Sequence, residues 1–212
     1  MKTKKFTTSQ LTILGLMAGI LFLMAYTPLG YLNIGPLAVT FNVIPVAVCA
    51  IVLGPTGGAI AGAVFGLTSF MQAIGIGGVS ALGSALFQIN PFMTAVQCFG
   101  PRILDGICIG FIYRAVHKKA NTYVSCAVTG FFSAFLNTLF FMTALIVMFG
   151  NTELIRNLMG GHNIIVGCCL MVGVNAISEM VSSTIITAAV GTALSKAHLI
   201  PASQIAKPDT AA

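Results

Sequence analysis

Two ionisable residues, Arg102 and Asp105, interrupt an apolar run that is long enough to cross a membrane. Charged groups at membrane depth are costly and usually mark a function or a partner. Their spacing of three residues places them on one face of a helix. They could simply neutralise each other. Alternatively, Arg102 faces a cavity and offers its planar guanidinium to a carboxylate, with Asp105 holding it and Pro101 allowing a nearby kink.

Further polar side chains occur in the other apolar runs. Ser133 and Asn137 are four residues apart, as are Asn175 and Glu179, so each pair shares a helix face. Such residues often only join neighbouring helices. On the topology derived below, however, most of them lie between the membrane centre and the outer face, which favours a pocket open to the outside. The predicted site residues are Arg102, Asn137, Asn42, Gln72, Gln97, Asp105, Asn175 and Glu179.

The composition indicates that these polar residues belong to a membrane protein. Of the 212 residues, 57% are hydrophobic and only 7% are charged, whereas a soluble domain has roughly a quarter charged residues. The apolar runs are continuous, which favours helices over a barrel of alternating strands. We therefore predict an all-α, polytopic protein of the cell membrane.

Six apolar runs predict a bundle of six transmembrane helices. A Gly/Pro-rich turn, Gly54–Gly58, separates the second run from the third, and Gly75–Asn90 and Gly150–Asn163 are predicted to be loops. Residues 1–195 form the predicted transmembrane domain and 196–212 a short cytoplasmic tail. The runs are Ser9–Tyr26, Leu37–Leu53, Ala59–Ile74, Pro91–Tyr113, Tyr123–Phe149 and Ile164–Leu194.

The basic residues orient this bundle. With six spans and a cytoplasmic N-terminus, eight of them fall inside and only Arg156 falls outside, in agreement with the positive-inside rule. The eight are Lys2, Lys4, Lys5, Arg114, Lys118, Lys119, Lys196 and Lys207. Both termini are therefore predicted to be cytoplasmic. The net charge of +6 lies at the ends of apolar runs, which argues against a nucleic-acid partner.

Small residues form stripes on two of the runs. Gly15, Ala18 and Gly19 in the first run suit either internal packing or an external helix partner. Gly58, Gly62 and Gly66 in the third are expected to pack inside the bundle. The six cysteines all lie in apolar runs, without a C-x-x-C pair, and are expected to be small apolar fillers.

Several chemistries have no matching motif in the sequence. There is no G-x-x-x-x-G-K-[ST] nucleotide loop, no H-E-x-x-H and no G-x-S-x-G. Asp105-Gly106 matches the start of the phosphatidyl-alcohol transferase motif, but the further aspartates that a dimetal site needs are absent. We therefore expect no metal, no cofactor and no catalytic residues. An intramembrane enzyme acting on a lipid-linked substrate remains an alternative, as does a secondary transporter, although no internal repeat is evident.

Several short segments together resemble one known family over nearly the whole chain. They are Tyr26-Thr27-Pro28-Leu29-Gly30-Tyr31, Ile34-Gly35-Pro36, Thr40, Asn42-Val43-Ile44-Pro45-Val46, Leu53-Gly54-Pro55-Thr56-Gly57-Gly58, Asn90-Pro91-Phe92 and Pro101-Arg102-Ile103-Leu104-Asp105-Gly106. The chain resembles the substrate-binding S components of energy-coupling factor (ECF) vitamin transporters. It looks most like the pantothenate-specific members, on the neighbourhoods of Asn90, Arg102 and Asn137.

The resemblance implies a transport subunit with ligand contacts at Arg102 and Asn137. A buried arginine suits an anionic vitamin, although other vitamins such as riboflavin, folate or biotin remain alternatives. The resemblance also implies a lid at Thr27–Pro36, with a second gate at Gly75–Gly83. The subunit would dock on a transmembrane coupling subunit driven by two ATPases, and would topple in the bilayer to release its vitamin inside. The first-span motif expected in the family, Ala-x-x-x-Ala, appears here as Gly15-x-x-x-Gly19.

Overall fold

Helices account for most of the chain in the computed structural model, which describes residues 7–27, 30–33, 38–77, 80–158 and 164–200. Two three-residue strands form a small antiparallel hairpin in which Tyr31 pairs with Thr40. In chain order the elements are α1 (Thr8–Ala25), β1 (Tyr31–Asn33), β2 (Ala38–Thr40), α2 (Val43–Ala73), α3 (Ala81–Ile89), α4 (Pro91–His117), α5 (Thr122–Phe149), α6 (Glu153–Leu158) and α7 (Ile164–Lys196).

Polar side chains mark where three of the long helices begin. Thr7 and Gln10 form a reciprocal capping box at the start of α1. Asn90 and Asn121 accept hydrogen bonds from the backbone N–H groups of Met93 and Val124, at 3.1 and 2.9 Å, and so cap α4 and α5. Because the first N–H groups of a helix lack partners within it, these caps matter most in an apolar environment.

Five helices within the described part of the chain are long and apolar enough to cross a membrane. They are α1, α2, α4, α5 and the Asn175–Lys196 portion of α7. The predicted all-helical membrane bundle is thus confirmed in its main features. The hairpin of β1 and β2 is an addition to it.

The second and third predicted runs both lie in α2, which is broken at Gly54. Gly54 has φ 72° and ψ −163°, a conformation that is essentially restricted to glycine. A Cβ at Gly58 would lie 3.0 Å from the Cβ of Ala50, whereas eight residues of a straight helix span about 12 Å. The two arms, 43–53 and 55–73, therefore fold back on each other at Gly54.

The predicted start of the second run at Leu37 is wrong. Residues 38–40 are a strand, and the first arm begins only at Val43. Val39 and Thr40 are β-branched and favour extended backbone. The N–H of Thr40 also donates to a side chain of α7 rather than to a helical carbonyl.

The two predicted loops each contain a short helix. In Gly75–Asn90, Ser80 caps α3 by accepting from the N–H of Gly83 at 3.1 Å. Of the segment's described residues, 75–77 and 80–90, only Gly75 and Gly77 have a positive φ. In Gly150–Asn163, residues 153–158 form α6. Leu86 of α3 and Ile155 of α6 are fully buried in one cluster with the end of α5. The loop predictions were wrong because the glycine and polar residues of these segments hide the apolar pattern that would indicate a short helix.

Glycines allow very close packing in two helix pairs. A Cβ at Gly58 or Gly62 of α2 would collide with the backbone of α4, at Gly106 and Arg102 respectively. A Cβ at Gly130 of α5 would lie 2.5 Å from the carbonyl oxygen of Ser183 in α7. The predicted internal packing of the third-run stripe is confirmed, and α2–α4 and α5–α7 are the two close pairs.

The interior of the bundle is mainly apolar and contains the first arm of α2. Every residue of this arm is buried. Cys49, Cys98 and Cys126 are buried, and these and Cys108 are free thiols, as expected of apolar fillers. Cys168 and Cys169 lie outside the residues whose side chains are described.

Candidate ligand-binding cavity

A cavity of about 150 Å³ lies between α2, α3, α4, α5 and α7, with β2 at its edge. Polar side chains from α2, α4, α5, α7 and β2, and from the residue that caps α3, meet in it. The polar side chains that line it are Thr40, Ser69, Gln72, Ser80, Thr94, Gln97, Arg102, Asn137, Thr138, Asn175 and Glu179. Six of the eight predicted site residues are among them, so the convergence inferred from the sequence is present in the fold.

Arg102 is the positively charged residue of this lining. Its Nη1 donates to the carbonyl oxygen of Gln97 at 2.9 Å. Its Cζ lies over the rings of Phe65 and Phe141, at 5.0 Å from each centroid. Its Nε is buried and has no hydrogen-bond partner among the described residues. An incoming anion could therefore accept from a donor that the protein leaves open.

Asp105 does not line the cavity. It is only 2% exposed, and its Oδ1 has no hydrogen-bond partner within the described ranges. No ion pair in that part of the chain joins it to Arg102. The geometry thus favours neither the self-neutralised pair nor Asp105 as the group that orients Arg102.

Two amide side chains in the same cavity wall as Arg102 have acceptors without a partner among the described residues. The Nε2 of Gln97 donates to the carbonyl oxygen of Phe141 at 2.9 Å, whereas its Oε1 is buried without a partner among the described residues. The Oδ1 of Asn137 is likewise buried and unpartnered there. Buried polar atoms are rarely left without a partner, so these acceptors suit a ligand that donates through hydroxyl or amide groups.

Glu179 and Gln72 connect the cavity to neighbouring elements. The N–H of Thr40 in β2 donates to Oε1 of Glu179 at 2.6 Å. The Nε2 of Gln72 donates to the carbonyl oxygen of Ala25, at the end of α1, also at 2.6 Å. Both side chains line the cavity and are over nine-tenths buried. The hairpin and α1 are therefore each held by a residue of the cavity wall.

Asn42 is the second predicted site residue that lies outside the cavity. Its side chain is fully buried, and neither Oδ1 nor Nδ2 has a hydrogen-bond partner in the described part of the protein. It immediately precedes α2 but does not cap it through its side chain. The structure places it beside the hairpin without a contact that explains it.

Comparison with known proteins identifies the family of the chain. Residues 9–191 match the family described as ECF transporter, substrate-specific component. The chain belongs to this family. It is 33% identical over 178 residues to the pantothenate transporter PanT of Leuconostoc mesenteroides subsp. mesenteroides, covering 81% of each chain. It is 28% identical over 208 residues to the pantothenic acid transporter PanT of Lactococcus lactis subsp. cremoris, covering 92% of this chain and 98% of that protein.

The predicted docking residues of this S component lie on α1. Gly15 and Gly19 are exposed, and a Cβ at either would meet nothing within 4 Å. Ala18 is partly buried. The stripe is thus not used for packing within the described structure, in contrast to the stripe on α2.

Several cavity residues of the S component were not predicted from its sequence. Phe65 and Phe141 contact the guanidinium, and Ser80, Gly83 and Leu86 bring α3 to the wall. One usable signal was Ser80, a typical helix cap three residues before Gly83. The two phenylalanines gave no such signal because the face that each presents depends on how its helix packs.

Proposed function

We propose that this S component captures pantothenate from outside the cell in the cavity around Arg102. Both curated relatives are named as transporters of this vitamin. The observation that carries the proposal is the partly buried Arg102, whose Nε is buried without a hydrogen-bond partner and which forms no ion pair with an acidic side chain among the described residues. Pantothenate has a carboxylate for Arg102, and an amide and two hydroxyls that suit the acceptors of Gln97 and Asn137.

We further propose that Asn175 and Glu179 contact the ligand from α7, and Gln72 from α2. All three line the same cavity as Arg102. Asp105 and Asn42 are not proposed as direct contacts because neither reaches the wall. Strand β1 lies within the predicted lid, Thr27–Pro36, and β2 follows it; residues 28–29 and 34–36 of the lid are outside the described structure.

Delivery of the vitamin is proposed to follow the mode of the family. The S component docks through α1 on a transmembrane coupling subunit that two ATPases drive. The open face at Gly15 and Gly19 supports α1 as the docking element, because small residues allow helices to approach closely. Counting the two arms of α2 separately supports six membrane-embedded helices with both termini in the cytoplasm.

The first test identifies the ligand that accompanies the purified protein. Protein is purified without added vitamin, and small molecules are extracted and analysed by mass spectrometry. Pantothenate is the expected finding. Finding riboflavin, folate or biotin instead would contradict the choice of vitamin. Finding an isoprenoid or other lipid-linked molecule would contradict the proposed transport function.

The second test concerns the arginine. Because a hydrogen bond to a charged group contributes about 1.5–3 kcal/mol, Arg102→Ala should weaken pantothenate binding by roughly 10- to 100-fold or more. Titration calorimetry in detergent measures this without intrinsic fluorescence, which is poor here because the chain has no Trp. Arg156→Ala is the matched control, since Arg156 is exposed on α6 and should leave affinity unchanged. Equal affinities of the two variants for pantothenate would show that Arg102 does not contribute to the binding site.

A further inference from the structure

We infer that Phe141, together with Phe65, positions Arg102 for the ligand and thereby gives the cavity its preference for a carboxylate over a neutral analogue. The inference rests on the proposed function and deepens it. It assigns the orienting role to two aromatic rings rather than to an acidic side chain.

The geometry around the guanidinium supports this assignment. Cζ of Arg102 lies 5.0 Å from both ring centroids, within the range of a cation–π contact. The single hydrogen bond described for its side chain goes to the backbone of its own helix, at Gln97. The amide of Gln97 in turn donates to the carbonyl oxygen of Phe141. Helices α4 and α5 are thus joined at the same level where the ring meets the charge.

An aromatic ring beside a guanidinium leaves its N–H donors available, whereas a carboxylate does not. A ring attracts a cation through its π face but accepts none of its in-plane N–H bonds. A carboxylate would occupy the fork of the guanidinium and would have to be displaced by the ligand. Here Nε remains buried and without a partner among the described residues. The rings therefore hold the charge in place and leave its donors to the ligand.

The same helix provides controls for this role. Phe131 and Phe135 are also phenylalanines of α5, but they are 41% and 39% exposed and contact other rings of α5. They are absent from the cavity wall, which Phe141 lines. Loss of a ring at Phe135 removes similar apolar area without touching Arg102.

The experiment measures binding of pantothenate and of its neutral primary amide by calorimetry to wild-type protein and to three variants. Phe141→Leu should lower affinity for the carboxylate roughly tenfold and change affinity for the amide little, so that the ratio of the two affinities falls. Phe141→Tyr keeps a ring and should keep the ratio. Phe135→Leu should match the wild type.

Other outcomes separate failure of this inference from failure of the proposed function. If Phe141→Leu weakens both ligands equally, or neither, the ring only shapes the cavity and the inference is wrong. If wild-type protein binds pantothenate no better than its amide, the proposal that the cavity recognises the carboxylate of the vitamin is itself wrong. Phe65→Leu repeats the measurement from α2, and it decides the question if Phe141→Leu does not fold.

Discussion

Arg102 is held in this protein by rings and a backbone carbonyl, and this arrangement is not visible in the sequence around it. The arginine itself was predictable because a charge in an apolar run is conspicuous. Asp105 was paired with it on spacing alone, but a shared helix face does not ensure contact when other helices pack between or against the side chains. Phe65 and Phe141, distant in sequence, are among fifteen phenylalanines, and only the helix packing distinguishes them.

Glu179 illustrates a different residue-scale role. It was predicted as a polar group of the pocket, and the structure adds that it accepts the N–H of Thr40. No sequence pattern connects positions 40 and 179, since the contact depends on how the hairpin folds over α7.

We predict that Glu179→Ala will speed release of bound vitamin. The change leaves the N–H of Thr40 without its acceptor, which costs about 1–3 kcal/mol, so that the hairpin opens more readily and the dissociation rate rises several-fold. Glu179→Gln retains an oxygen acceptor and should have the smaller effect. The rate is measured by dilution of radiolabelled pantothenate from detergent-solubilised protein. Glu153→Ala, at an exposed carboxylate, is the control, and equal rates for Glu179→Ala and this control would refute the prediction.

At the scale of elements, the long apolar runs were predictable and the short structures were not. The runs assigned to α1, α4, α5 and α7 agree with the observed helices within a few residues at most ends. The hairpin, α3 and α6 were missed because three to nine residues give too little periodicity to separate helix, strand and loop. Their formation depends on tertiary contacts, such as those of Leu86 and Ile155.

The α2–α4 contact yields a stability prediction. Gly58→Ala would place a methyl group against the backbone of Gly106, forcing the helices apart, and should destabilise the protein by about 1–3 kcal/mol. Gly100→Ala on α4 is the matched control, because its Cβ would lie 4.0 Å from the nearest atom and alanine favours a helix. A thiol-reactive dye reports thermal unfolding, since Cys49, Cys98 and Cys126 are buried when folded. A melting temperature of Gly58→Ala equal to that of Gly100→Ala would contradict the prediction.

At the scale of the whole molecule, charge and hydropathy together predicted an orientation as well as a span count. The count depends on α2, because its first arm of eleven residues rises only about 16 Å, short of a hydrocarbon core of about 30 Å. The arm is instead buried inside the bundle. Hydropathy alone does not distinguish such a buried arm from one that faces lipid. Because the second arm runs back from Gly54, the two arms still count as two runs in the proposed topology.

The orientation has a direct test. Green fluorescent protein fused after position 212 should fluoresce, because the C-terminus is predicted to be cytoplasmic. Alkaline phosphatase inserted in the 150–152 segment, before α6, should be active because that segment is predicted to lie outside. Fusion to the Arg114–Asn121 segment gives the opposite control, with inactive phosphatase. Active phosphatase at the C-terminus would overturn the positive-inside assignment.

The close backbone contacts have a mechanical consequence for the whole bundle. Helices in close contact through glycine are not free to slide past one another without first separating, so we expect α2 with α4 and α5 with α7 each to move as one body. The cavity takes its wall from both bodies, with Phe65 and Arg102 on one side and Asn137 and Glu179 on the other. We therefore expect the cavity to widen when one helix pair tilts away from the other as a unit, and not when a single helix moves alone.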